Sequence, residues 1–207
     1  MKILCAAAGA ALVACSLAAS GQAQSACGQT IDVPLQSRAN LTIHSRPAGL
    51  EIVGTDKEML HVTCTSDDAE RARQVQLQFS GGPDQGALTI AGPGTHRGSL
   101  QIRVEVPRRT NLRVDMGAGQ VKVEDVTGDK AIALYAGQIT ISSLHDWDYR
   151  LVDASVDIGE VNAAAYHVDK GGFFRSFTRN TAQGDYRLYA HVMTGQIDLV
   201  GNNGVAE

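Results

Sequence analysis

The sequence has little cysteine and no surplus of positive charge. Four cysteines occur in 207 residues, and the formal net charge is −4. A mildly acidic balance argues against nucleic acid as a partner, and the basic cluster Arg103, Arg108, Arg109 and Arg113 is interleaved with Glu105 and Asp115, as on a solvated strand face. Cys27 and Cys64 belong to no close-spaced pair. None of the six histidines, at positions 44, 61, 96, 145, 167 and 191, stands two or four residues from another. Both absences speak against a metal centre. No Gly-x-Ser-x-Gly elbow occurs, and Ser143, His145 and Asp146 lie too close in sequence to face one another as a triad. The Gly-Gly-x-Gly-x-Asp calcium repeat is missing as well, so no metal or cofactor is expected. Helical periodicity is almost absent: the one helix candidate is short, Asp67 to Arg73.

The one long apolar run is at the start. MKILCAAAGAALVACSLAASGQAQS has a lysine, an alanine-rich stretch and small polar residues, the layout of an export signal. Residues 1–23 are assigned to that signal, with cleavage after Ala23. A competing reading takes Leu12-Val13-Ala14-Cys15 as a lipobox, in which Cys15 is acylated. Removing Lys2 with the leader takes the net charge from −4 to −5. In the oxidising compartment that export implies, Cys27 and Cys64 are expected to pair, holding an amino-terminal segment and linker, 24–36, to the body.

Beyond the leader, apolar and polar residues alternate. Leu41-Thr42-Ile43, Val62-Thr63-Cys64, Val75-Gln76-Leu77-Gln78-Phe79, Leu88-Thr89-Ile90 and Ile102-Arg103-Val104-Glu105-Val106 read as strands with one buried side. Glycine- and proline-containing turns separate them. A recurring motif then appears. "AGQVKVEDV" places apolar residues at Val121, Val123 and Val126, "AGQITISSL" at Ile139, Ile141 and Leu144, and "DASVDIGEV" at Val156, Ile158 and Val161. The shifts are 18 and 17 residues. Looser copies carry Leu50 and Ile52 near the start and Ile197 and Leu199 near the end. A fixed period of this kind predicts an all-β fold, a single short β-solenoid or flattened two-sheet roll over residues 37–200 with a tail at 201–207. The glycine before each copy is expected to turn a corner between sheets. A phosphate cradle would need a helix after the loop, whereas the residues after Gly119 alternate with period two.

The pattern Gly-x-Gly-[Asp/Gln]-[Ile/Val]-x-[Val/Ile], complete at Gly117 to Val123 and partly repeated around Gly137 and Gly195, Val106-Pro107 leading into Asn111-Leu112-Arg113-Val114, and "LTIHSRPAGLEIVGTDKEMLHVT" resemble the exported bacterial β-strand-repeat domain of unknown function of the putative adhesin family. The resemblance implies a non-catalytic β-solenoid and supplies no catalytic residues. That family often has Asp after the second glycine; this chain has Gln120, Gln138 and Gln196, which are poorer cation ligands.

Three functions are then open. The first is a non-catalytic structural or interaction protein of the cell envelope, whether periplasmic, outer-envelope or extracellular. Its partner is an envelope protein or an extracellular glycan, and it touches membrane only through a lipid on Cys15. The second is a polysaccharide-acting β-helix enzyme that uses Asp153 and Asp157 as paired carboxylates. The third is an envelope-stress or assembly module working through a sheet edge, whose mark would be an exposed terminal strand such as 197–200. The segment "KGGFFRSFTRN" breaks the period. Phe173, Phe174, Arg175 and Phe177 are its candidate contacts, either as a binding patch or as a cap on the end of the array, and Trp147, Tyr186 and Tyr189 are candidates for the same outward surface.

Overall fold

The computed structural model describes residues 21–46, 48–92, 100–145 and 147–201. Alternation makes strands almost throughout, because side chains two residues apart share one side of extended backbone. They are β1 (Gly21–Ala26), β2 (Ile31–Pro34), β3 (Asn40–Ser45), β4 (Ala48–Thr55), β5 (Met59–Ser66), β6 (Gln76–Gly81), β7 (Gln85–Ala91), β8 (Leu100–Pro107), β9 (Asn111–Glu124), β10 (Lys130–Leu144), β11 (Tyr149–Ala163), β12 (Val168–Asn180) and β13 (Tyr186–Gly201). The fold is all-β, as expected. The helix expected over 67–73 shrinks to a single turn, α1 (Ala69–Ala72), where Asp68 accepts a 3.0 Å hydrogen bond from the Glu70 N–H.

Hydrogen bonds link the strands into one large sheet. β9, β10, β11 and β13 each bend midway, and the bend is fixed by glycine. The parallel register aligns Gly119, Gly137, Gly195 and Gly159 across the four strands, all at positive φ. A Cβ on Gly137 would lie 1.8 Å from the Gly119 carbonyl oxygen, and one on Gly195 would lie 1.8 Å from that of Gly137. The stack therefore excludes any side chain. At a second bend, Asp125 and Ser143 are left-handed, with φ 57° and 61°. Between the bends the chain presents its apolar side to one shared core. Ile43, Val114, Ile132, Ala190 and Ala154 form a rung across neighbouring strands before the glycine corner; Leu50, Val121, Ile139, Ile197 and Val161 form another after it. Every one is at most 2 % exposed.

The repeats are irregular in two respects. In a simple repeat array each copy stacks on the next in sequence, but here β13 lies between β10 and β11, parallel to both, while β12 runs back antiparallel along the outside of β11. The third copy is also displaced. Gly159 aligns with Gly195 and Gly137, so Val161 shares the rung of Ile139 and Ile197, and Val156 pairs with Val192 before the corner. Ile158, expected inward, is 47 % exposed. Apolar residues alternate on both sides of this corner, so the hydrophobic pattern fits two registers and only the glycine selects one.

Residues 24–36 contribute to β1 and carry β2, which pair with β6 and β5. The expected disulfide is formed: Cys27 and Cys64 are bonded, with Cα atoms 4.9 Å apart and a sequence separation of 37.

Candidate binding face

The halves of β3, β9, β10, β13 and β11 that precede the glycine corner lie side by side, so their outward residues form straight rows. One row runs Thr42, Arg113, Ala131, Tyr189, Asp153; the next runs His44, Asp115, Ala133, His191, Ser155. Both rows dip at β10, where the outward residues are alanines. The result is a trough floored by Ala131 and Ala133, with Arg113 and Asp115 on one bank and Tyr189 and His191 on the other. It is occupied by two adjoining cavities of about 210 and 290 Å³, which share Arg113, Ala131 and Tyr189.

The banks are braced. Arg113 Nε donates to Asp115 at 3.1 Å, His44 Nδ1 lies 3.6 Å from the same carboxylate, and His191 Nδ1 is 3.1 Å from Ser155 Oγ. At the head of the trough, a chain of polar contacts joins β3, β9 and β13 through Asp129, the residue before β10: Asn111 Nδ2 donates to Asn40 Oδ1 at 3.1 Å, the Asp129 N–H to Asn111 Oδ1 at 3.0 Å, and the Arg187 N–H to Asp129 Oδ1 at 2.7 Å. Tyr189 stands 41 % exposed above the alanine floor.

Beneath this head is a feature that the sequence reading missed. Lys130 takes an inward position between Leu112 and Leu188 and is 1 % exposed. Its Nζ donates to the Gly128 carbonyl at 3.1 Å and to the Tyr149 hydroxyl, and it sits 4.8 Å from the Tyr149 ring centre. Burial lowers the ammonium pKa to about 7, against the opposing pull of Asp148 and Asp129, and burial likewise raises that of the Tyr149 phenol. The signal was present in Lys130-Ala131-Ile132-Ala133-Leu134, whose alternation puts the lysine on the apolar side.

Beyond the glycine corner the outward surface is different. Glu51 bonds Arg103 at 2.6 Å and Lys122 at 3.5 Å, while Arg103 also reaches Glu105 and Lys122 reaches Glu124. Partial burial opposes ionisation of Glu51, but its two cations outweigh this and hold the carboxyl below its usual range. Arg108 pairs with Asp56 at 2.8 Å. These cations are thus matched with carboxylates on the protein itself. At the edge of the fold, the Asp32 carboxyl is also held low, chiefly by its 2.6 Å hydrogen bond to His61.

The aromatic segment forms β12, and its two ends do different things. Phe177 is 8 % exposed and stacks on Tyr166 at 5.2 Å, closing the end of the core; Phe173 is 69 % exposed and Arg175 points to solvent. The side chain of Phe174 lies outside the described residues, as do Cys15, His96 and Asp146. Phe173 and Ile158 flank a wide cavity of about 590 Å³ along the glycine stack. Of the remaining aromatic candidates, Trp147 is 61 % exposed and stacks on His145, and Tyr186 is half-buried beside Tyr149. Asp153 lies in the trough row beside Tyr189 and Thr178, whereas Asp157 falls at the corner, between the Val156–Val192 and Ile158–Thr194 pairs. The terminal strand 197–200, whose exposure at an edge was the mark of an assembly module, is interior to the sheet, because β13 is paired on both sides. Among the described residues no group of three or more His, Cys, Asp or Glu is placed to hold a metal, and no helix is long and apolar enough to cross a membrane.

No family model matches the chain, and no curated protein matches it in sequence. A solved structure, a putative cell adhesion protein from Clostridium sporogenes ATCC 15579, is similar in fold. Its TM-score is 0.54 at 12 % identity, and the match covers 89 % of this chain and all of that one. At that identity the likeness extends to the fold alone.

Proposed function

We propose that this chain is an exported, non-catalytic interaction protein of the bacterial cell envelope, an adhesin-like β-solenoid that holds an envelope protein or glycan on its outer face. The observation that carries this reading is the stack of bent strands in register through Gly119, Gly137, Gly195 and Gly159. Such a stack is rigid, and it displays outward side chains as an ordered lattice at strand spacing. Two features add support. The Cys27–Cys64 bond suits an oxidising compartment, and the fold is shared with a chain described as a putative cell adhesion protein. Asp153 and Asp157 are on different parts of β11, one in the trough and one at the corner, which favours binding over paired-carboxylate hydrolysis.

The test is retention of the fluorescently labelled protein on envelope fragments of the producing cell. Saturable retention, competed by unlabelled protein and unaccompanied by release of new reducing sugar ends, is the expected result. Retention no greater than that of the urea-unfolded chain, or steady release of reducing ends, overturns the reading.

A further inference from the structure

We infer that the alanine-floored trough on β10 is a binding site for an uncharged oligosaccharide, an assignment that rests on the interaction-protein reading above and names its ligand. The shape comes first. Ala131 and Ala133 leave a channel between taller residues on β9 and β13. From Asp129 to Ala133 it runs about 13 Å along the strand, between banks two strand spacings or about 10 Å apart, room for a short run of linked sugar rings.

The lining chemistry fits the same ligand. A pyranose ring has a flat face of C–H groups and a rim of hydroxyls. Tyr189, exposed on the bank, offers an aromatic surface to the first. The second needs planar groups that exchange two hydrogen bonds at once: the Arg113 guanidinium and the Asp115 and Asp153 carboxylates, with the His191 imidazole and Ser155 hydroxyl beside them. Arg113 is already fixed by Asp115, and His191 by Ser155, so these groups are ordered before ligand arrives, which lowers the entropy lost on binding.

Charge separates this ligand from others. Arg113 and Arg187 face Asp115, Asp129 and Asp153 along the trough, so neither sign dominates. A polyanion would meet three carboxylates and a cationic peptide two guanidinium groups, whereas a neutral polyol can use both signs as donors and acceptors.

The experiment is a titration of the full chain, labelled with ¹⁵N, with cellotetraose, maltotetraose, chitotetraose and a galactotetraose in turn, and with heparin as the polyanionic control, followed by amide chemical shifts. At least one is expected to bind at roughly millimolar affinity, moving amides at 131–133 and 189–191. Tyr189→Ala should weaken that binding roughly tenfold, and Tyr189→Phe should restore most of it. Shifts confined to the corner around Ile158 and Phe173, no shift with any of the four, or binding only to heparin that salt abolishes would each overturn the inference. Envelope retention without oligosaccharide shifts would sink the ligand while leaving the interaction-protein reading intact. Cleavage of a bound sugar would do the reverse.

Discussion

Lys130 makes the stability of this fold rise with pH from neutrality upward, in a range above the one in which carboxylates contribute. In the folded chain burial lowers its pKa from 10.5 to about 7, so between those values the unfolded chain holds a proton that the folded chain has released. Stability must rise with pH across that window, by up to about 1.4 kcal/mol per unit. The gain between pH 7 and 9 comes to about 2 kcal/mol. Asp129 and Asp148 face Nζ and favour its charged form, a pull that burial outweighs, and the Tyr149 phenol, raised by burial, enters only as the unfolded tyrosine begins to titrate near 10. Lys130→Met keeps the side-chain length and removes the titration; Tyr149 can still donate to the Val126 carbonyl, 3.4 Å away. Urea unfolding followed by far-ultraviolet circular dichroism at pH 6.5, 7, 8 and 9 measures the effect. Histidines and the amino terminus affect both proteins alike, so the difference between the two curves isolates Lys130. The wild type should gain about 2 kcal/mol over the variant from pH 7 to 9, a midpoint difference of about 1 M urea. Parallel pH dependences would show that the ammonium finds solvent or a counter-charge, and the argument from burial would fail.

The glycine stack and the disulfide give two further expectations. Gly195→Ala puts a methyl group 1.8 Å from the Gly137 carbonyl oxygen at φ 147° and should cost at least about 3 kcal/mol; Gly28→Ala, at φ 93° with nothing within 4 Å, is the control and should cost about 1 kcal/mol. Equal urea midpoints for the two variants would contradict close approach at the corner. Reduction of Cys27–Cys64, which closes a separation of 37 residues, should remove about 4 kcal/mol and lower the thermal midpoint by about 10 °C. An unchanged midpoint in reductant would mean that the bond leaves the unfolded ensemble unconstrained.

Much of the architecture is written in local pattern, and the parts that are not have a common cause. Strands, corner glycines and the cysteine pair depend on alternation, on positive φ and on compartment, all of which act within a few residues or on composition. Strand order does not. Nothing local distinguishes Ile139 packing on Val156 from Ile139 packing on Ile197, since either pairing buries an aliphatic side chain; the choice is made by the long-range closure that brings β13 back. Ile158 was misplaced for a related reason, because a corner interrupts period two and lets an apolar residue face outward. The binding face was half legible. Tyr189 stood out as an aromatic, but the trough is made by Ala131 and Ala133, small residues that carry no chemistry and gain meaning only once their taller neighbours on β9 and β13 are known. Phe173 and Phe177, one segment in sequence, divide between solvent and core because Phe177 pairs with buried Ala154 while Phe173 pairs with Ile158, which is exposed at the corner.

The position of β13 links folding to the proposed function. It is the last strand in the described chain, yet every rung joining β10 to β11 passes through it. Until residues 186–201 are present, β10 and β11 each expose an open edge, while β11 and β12 can already form a local antiparallel pair. Parallel pairing over such sequence distances forms late, since the loop must close before the contacts stabilise it. Under the proposed export, a chain threaded across a membrane unfolded would thus complete its sheet only after its carboxy-terminal strand has emerged. The same strand supplies Tyr189 and His191, one whole bank of the trough, together with Gly195 in the corner stack. Binding competence and completion of the core are therefore one event: a molecule able to hold a ligand in this trough is one whose last strand is already in place.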